Sequence, residues 1–214
     1  MNKILYKRFI IVRDDFYEDP NRVYELAKHA EYHEPENIIG YRSRTIYHEP
    51  ATKEKLETIL GIKITRWSTL PELDNGVFYR TFADEIPGIH YDQPFNDITV
   101  LVYLTPNLPA DCGTSLWMHK KTGLCDPPTS KDARKLNTEL GLLRNRLAND
   151  SKKSDKWCEV DRLGHKFNRM VAYPSGAYHS ATRHYGSSMR NGRLFQAFRI
   201  GVDWSSFAKR AASR

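Results

Sequence analysis

Cysteine is scarce in this sequence and follows no pattern. Cys112, Cys125 and Cys158 are three among 214 residues, odd in number and without a C-x-x-C pair. That argues against a disulfide framework or a zinc knuckle and for free thiols. No apolar run is long enough to cross a bilayer. Met1 to Arg8 leads into an apolar patch that ends at Arg13, too short and too soon charged for a secretory signal, so a cytoplasmic protein is expected. There is no internal repeat, low-complexity tract, arginine-rich arm or aromatic-and-basic stripe of the RNA-binding type.

What is present is ordinary globular composition, 40% hydrophobic and 28% charged, at a length that suits one domain with a real core. The net charge is +7. It fits an acidic partner or simple solubility, and speaks to association rather than fold.

Phe9 to Val12 reads as a strand. Asp19 then caps a helix with Pro20 at its first position and an apolar stripe of Val23, Leu26, Ala27 and Ala30. After a loop at Gly40 to Arg44, Pro50 opens a second helix that ends at Gly61. Beyond it the chain turns β-rich. Strands are expected at 62–67, 77–83, 98–104, 115–119, 157–160, 168–173 and 193–202, with turns at Asp74-Asn75-Gly76 and Pro174-Ser175-Gly176. One helix is expected from Ser130 to about Asp150, with Leu136, Leu140, Leu143 and Leu147 on one face. The domain is therefore read as α+β: helical support over about 1–61, a β core over about 62–204 built as a sandwich or jelly roll, and a helical insertion over about 126–156.

Candidate chemistry begins at His90-Tyr91-Asp92. In extended chain, residues two apart project from one face, where an imidazole and a carboxylate can grip one metal ion. His179, just past a strand and turn, is the third candidate ligand; His184 competes with it, and His119 is a weaker alternative. Two imidazoles and one carboxylate leave open positions on an octahedral ion, as in non-haem Fe(II) oxygenases. On the last strand Arg193, Phe195, Ala197 and Arg199 share a face. An arginine among apolar neighbours needs an anion, which is either an internal carboxylate or a ligand's.

H-x-D, a distant His and a closing Gly192-Arg193 resemble the Fe(II)/2-oxoglutarate-dependent oxygenase superfamily, over roughly Val77 to Val202. More narrowly, Asp14 to Pro20, Gly40 to Ser43, Gly113 to Lys120 and Asn168-Arg169 resemble the DUF6445 branch. The superfamily resemblance implies a double-stranded β-helix (jelly-roll, cupin-like) core, with Fe(II) held by His90, Asp92 and His179. It implies 2-oxoglutarate chelating the iron, its far carboxylate on Arg193 and hydroxyl donors at Tyr79 and Tyr103. Arg199 is the fallback anchor. The retained Asp92 favours hydroxylation over halogenation.

The substrate expected is an amino acid, free or within a peptide, with O2 as the third reactant. It would be selected by the Gly40–Arg44 loop, Trp117 and the insertion acting as a lid. An AlkB-like nucleic-acid demethylase is the rival within the enzymes, on the spacing of Arg193 and Arg199. A non-catalytic β-sandwich that binds a ligand is the reading from another class.

Overall fold

The computed structural model describes residues 9–36, 39–70, 73, 75–92 and 96–206. The stretch Met1–Arg8 and Asp74 of the expected turn lie outside them. Two antiparallel sheets face each other. The larger has eight strands: β1 (Ile11–Arg13), β2 (Tyr32–His33), β3 (Tyr41–Ser43), β4 (Lys63–Arg66), β5 (Val77–Thr81), β6 (Ile98–Tyr103), β9 (Met170–Pro174) and β11 (Arg193–Asp203). Their order is β1-β9-β6-β11-β5-β3-β2, with β4 paired to the far end of β11. The smaller sheet has the order β10-β7-β8, from β7 (Thr114–His119), β8 (Trp157–Leu163) and β10 (His179–Ala181). Among the described residues, no helix is long and apolar enough to cross a membrane.

The period of two sorts each central strand between two cores. Ile98, Val100, Val102, Met170, Ala172, Leu194, Phe198 and Ile200 pack outward against helices α1 (Pro20–His29) and α2 (Thr52–Leu60). Val77, Tyr79, Leu101, Tyr103, Val171, Tyr173 and Ala197 face inward, meeting Leu116 and Leu163 of the small sheet. Strands buried on both faces lose the apolar–polar alternation, which is why β6 reads as a continuous β-branched run.

α1 begins as expected, with the Asp19 side chain accepting the Arg22 amide. Val23 and Ala27 are buried, but Leu26 of the expected stripe faces solvent. α2 starts two residues after Pro50, because Ala51 takes a left-handed φ of 63° and cannot continue a right-handed helix. The expected helix over 130–150 is two helices, α3 (Ser130–Lys135) and α4 (Leu140–Asn149). A φ of 48° at Asn137 separates them, so Ala133 of the first and Leu143 and Leu147 of the second bury into one satellite core. The segment Gly40–Arg44, read as a loop, contains β3, whose Arg42 lies opposite Tyr79.

A clasp joins the opening of the chain to β9. Arg169 donates to both Asp14 oxygens, at 2.6 and 3.2 Å. Asn168 brackets Tyr17, accepting its amide and donating to its carbonyl, both at 2.8 Å. Asn168 is itself left-handed, with φ 61°, a conformation Asn tolerates better than most residues. Asn168→Ala leaves a buried N–H and C=O unanswered and should cost about 2–4 kcal/mol. Thermal unfolding followed by circular dichroism should show a melting temperature lower by roughly 5–15 °C.

Candidate metal centre

His90 and His179 are brought together by the backbone before any side chain acts. Each donates its amide to the other's carbonyl, at 3.0 and 2.7 Å, forming a two-residue antiparallel bridge. Both imidazoles therefore leave the bridge on the same side, with ring centroids 4.4 Å apart. Each ring is also fixed in orientation. His90 Nδ1 donates to the Gly88 carbonyl and His179 Nδ1 to the Ala177 carbonyl, both at 2.8 Å. In a neutral ring held this way Nε2 is the acceptor, the tautomer a metal needs, and such outer hydrogen bonds are common to metal-binding histidines.

Asp92 arrives beside them through the Pro174–Ala177 turn. Its amide donates to the Ser175 carbonyl at 2.9 Å. One Asp92 oxygen stands 3.9 Å from His90 Nε2 and the other 3.8 Å from His179 Nε2. One ligand atom from each of the three residues lies within 4.8 Å of the others, so one cation fits between them. Asp92 and His179 are buried, while the His90 side chain is 55% exposed, so the centre opens to solvent on the His90 side.

Electrostatics prepare the carboxylate. Burial raises the Asp92 carboxyl, but Arg199, His179, His90 and the Thr99 hydroxyl outweigh it and hold the group well below the usual carboxylate range. Arg199 forms an ion pair with one Asp92 oxygen, and Thr99 donates to the other. Burial pushes His179 down to about 4 against the pull of Asp92, keeping its ring neutral.

Arg193 sits farther along the same inner face. It is 2% exposed, donates to the carbonyls of Cys112 at 2.6 Å and Gly113 at 3.1 Å, and lies over the Phe195 and Tyr103 rings. Among the described residues, no carboxylate pairs with it, and burial lowers its pKa. A buried guanidinium answered only by neutral carbonyls suits an incoming carboxylate. Tyr103 donates to Thr114 at 2.9 Å, and the Tyr79 ring stacks on Phe195 at 5.1 Å.

The other candidates are not part of this cluster of three. His119 is buried against Trp157, with its ring nitrogens toward Thr122 and Asp150. His184 stands 3.4 Å from Glu85. Trp117 packs in the satellite core and donates to Ser180.

Three contributors went unnoticed in the sequence. Thr99 and Ser175 share a hydrogen bond at 2.9 Å beneath Asp92. Tyr173 is fully buried 4.9 Å from the His179 ring, and its hydroxyl has no hydrogen-bond partner among the described residues. Thr99 and Tyr173 were findable by parity, since they share inner faces with Tyr103 and Val171.

The sequence matches the model of DUF6445, described as a family of unknown function, over residues 4–198. The chain belongs to DUF6445. No curated protein matches it in sequence. Among solved structures, this DUF6445 member resembles HygX from Streptomyces hygroscopicus, crystallised with nickel and 2-oxoglutarate bound. The TM-score is 0.51 at 14% identity, covering 92% of this chain and 84% of HygX. A prolyl hydroxylase from Trichoplax adhaerens, in complex with a hypoxia-inducible-factor peptide fragment, matches at TM-score 0.45 and 13% identity, over 94% of this chain and 86% of that one. The first likeness establishes similarity of fold between this DUF6445 chain and a protein that holds a metal and 2-oxoglutarate.

The Arg193 end of the interior also carries a pH-sensitive group outside the triad. His165 stacks on Tyr103 at 5.1 Å and donates from Nε2 to the Thr105 carbonyl at 2.8 Å. Burial, reinforced by Arg193 and Arg169, pushes it down to about 4. The unfolded chain therefore binds a proton more readily than the folded one below pH 6.5. Its contribution to stability is complete above that pH and drains away as pH falls through about 4. Melting temperatures measured from pH 7 to pH 4 should fall, and more gently in His165→Gln.

Proposed function

We propose that the protein is a non-haem Fe(II)- and 2-oxoglutarate-dependent dioxygenase with a double-stranded β-helix core. Its reaction is hydroxylation of an unactivated C–H bond in an amino acid, free or within a peptide, in a cytoplasmic setting. The observation that carries the reading is the convergence of His90 Nε2, His179 Nε2 and an Asp92 oxygen within 4.8 Å, with both imidazoles oriented by backbone carbonyls. The donor set of two neutral nitrogens and one carboxylate fits Fe(II) and leaves coordination positions open. When bound, iron with 2-oxoglutarate and O2 supplies the oxidation, converting C–H to C–OH with release of succinate and CO2.

The chain's own residues bind and orient. Arg193 takes the far carboxylate of 2-oxoglutarate, gaining the anion that its burial lacks. Tyr79 and Tyr103 wall that cosubstrate, and the Tyr173 hydroxyl gains an acceptor from it. Arg199 and Thr99 hold Asp92 ionised and turned toward the histidines. Because Asp92 keeps the carboxylate position, the reading is hydroxylation rather than halogenation. The net charge of +7 supports an anionic group on the substrate. The nucleic-acid reading rests on the spacing of Arg193 and Arg199 alone, and Arg199 is engaged with Asp92.

Asp92→Ala should abolish stoichiometric Fe(II) binding in anaerobic titration. Arg193→Met should keep the metal but weaken 2-oxoglutarate by about 100-fold or more, the cost of deleting a buried charge partner. Equal Fe(II) binding by wild type and Asp92→Ala would remove the reading. Succinate release coupled to panels of amino acids and peptides tests the substrate class.

A further inference from the structure

The insertion is fastened to the two histidine-bearing segments. His90 is preceded by Ile89 and His179 by Tyr178, and both of these side chains point away from the triad. They are buried in the satellite core formed with Ala133, Leu143, Leu147 and Trp157. Each segment is also hydrogen-bonded to one end of the insertion. At its entry, the Cys125 carbonyl accepts the Tyr178 amide at 2.9 Å. At its exit, Ser151 holds Ile89 at two points: the Ser151 carbonyl accepts the Ile89 amide at 2.9 Å, and the Ser151 hydroxyl donates to the Ile89 carbonyl at 2.8 Å. The next amide along, that of His90, makes the bridge to His179.

We infer that the helical insertion is a brace that sets the spacing of the two imidazoles from behind, with Ser151 as its positioning residue, rather than a lid over the open face. The inference rests on the triad being the metal centre. The physical basis is leverage over geometry. A cation shared by two rings needs both Nε2 atoms placed to a few tenths of an ångström, while the bridge is only two residues long. Anchoring residues 89 and 178 in one packed cluster removes the freedom of the bridge to shear. Leu143 and Leu147 are at 0% and 3% exposure, which makes the cluster a packed core rather than a surface contact. Ser151 never touches the metal and acts only through Ile89 and His90.

The test is a titration of the full chain with Co(II) alone, read by its visible absorption, beside thermal melts of the same proteins. Ser151→Ala should weaken Co(II) about tenfold, the lower range for removing an outer support of a metal ligand. Ser151→Thr, which restores the hydroxyl, should recover the affinity. Asn168→Ala, on the clasp to Tyr17, should melt earlier yet bind Co(II) like wild type when titrated below its melting temperature. Unchanged affinity in Ser151→Ala, or equal weakening in Asn168→Ala, would overturn the brace. Absence of Co(II) binding by wild type would instead remove the triad reading itself, and the brace with it.

Discussion

The short backbone bridge between His90 and His179 is the constraint on which the candidate site depends. It joins two segments 89 positions apart in sequence, and its two hydrogen bonds decide the direction of four side chains at once. Both histidines turn inward; Ile89 and Tyr178 turn outward into the satellite core. A slip of one residue would exchange those roles, burying imidazoles among leucines and presenting apolar groups to the interior. The packing of Ile89 and Tyr178 therefore protects the register of the two histidines, and the hydrogen bonds their rings donate to the Gly88 and Ala177 carbonyls complete it by fixing the rings.

Charge inside the sandwich is distributed along one strand. Arg193 and Arg199 share the inner face of β11, six residues apart, which is about 20 Å in extended chain. That separation gives them different work. Arg199 reaches Asp92 and keeps it ionised despite complete burial. Arg193, at the other end, is surrounded by carbonyls and aromatic faces. A buried cation without a carboxylate partner among the described residues is costly, and here carbonyl oxygens and aromatic faces are what offset it.

The short motifs shared with DUF6445 prove to be mostly scaffold. Asp14 and Arg169 are a clasp, Asn168 brackets Tyr17, and the Ser43 hydroxyl accepts the Phe78 amide at 3.0 Å. Gly113 sits where an added Cβ would lie 1.9 Å from the Leu163 carbonyl, and its own carbonyl receives Arg193. This glycine links the two classes of motif: close approach of β7 to β8 makes the shelf on which the buried arginine rests.

The sequence by itself determined the period-two faces of the β-rich half. Arg193, Phe195, Ala197 and Arg199 do lie on one side, and His90 and Asp92 do project together. Side-chain direction in extended chain is a local property, so it can be read without knowing the partner strand. The same locality explains the well-placed Asp19 cap and the Gly61 stop. What needed the tertiary structure was everything set by a distant partner. The three-residue strands β3 and β10 exist through pairing, and the break at Asn137 serves burial of two helices in one cluster. That His179 rather than His184 or His119 meets His90 and Asp92 was decided by one backbone bridge, and that Arg199 rather than Arg193 pairs with Asp92 by its place along β11. Local chain geometry fixed which way each side chain points; only packing decided what it would meet.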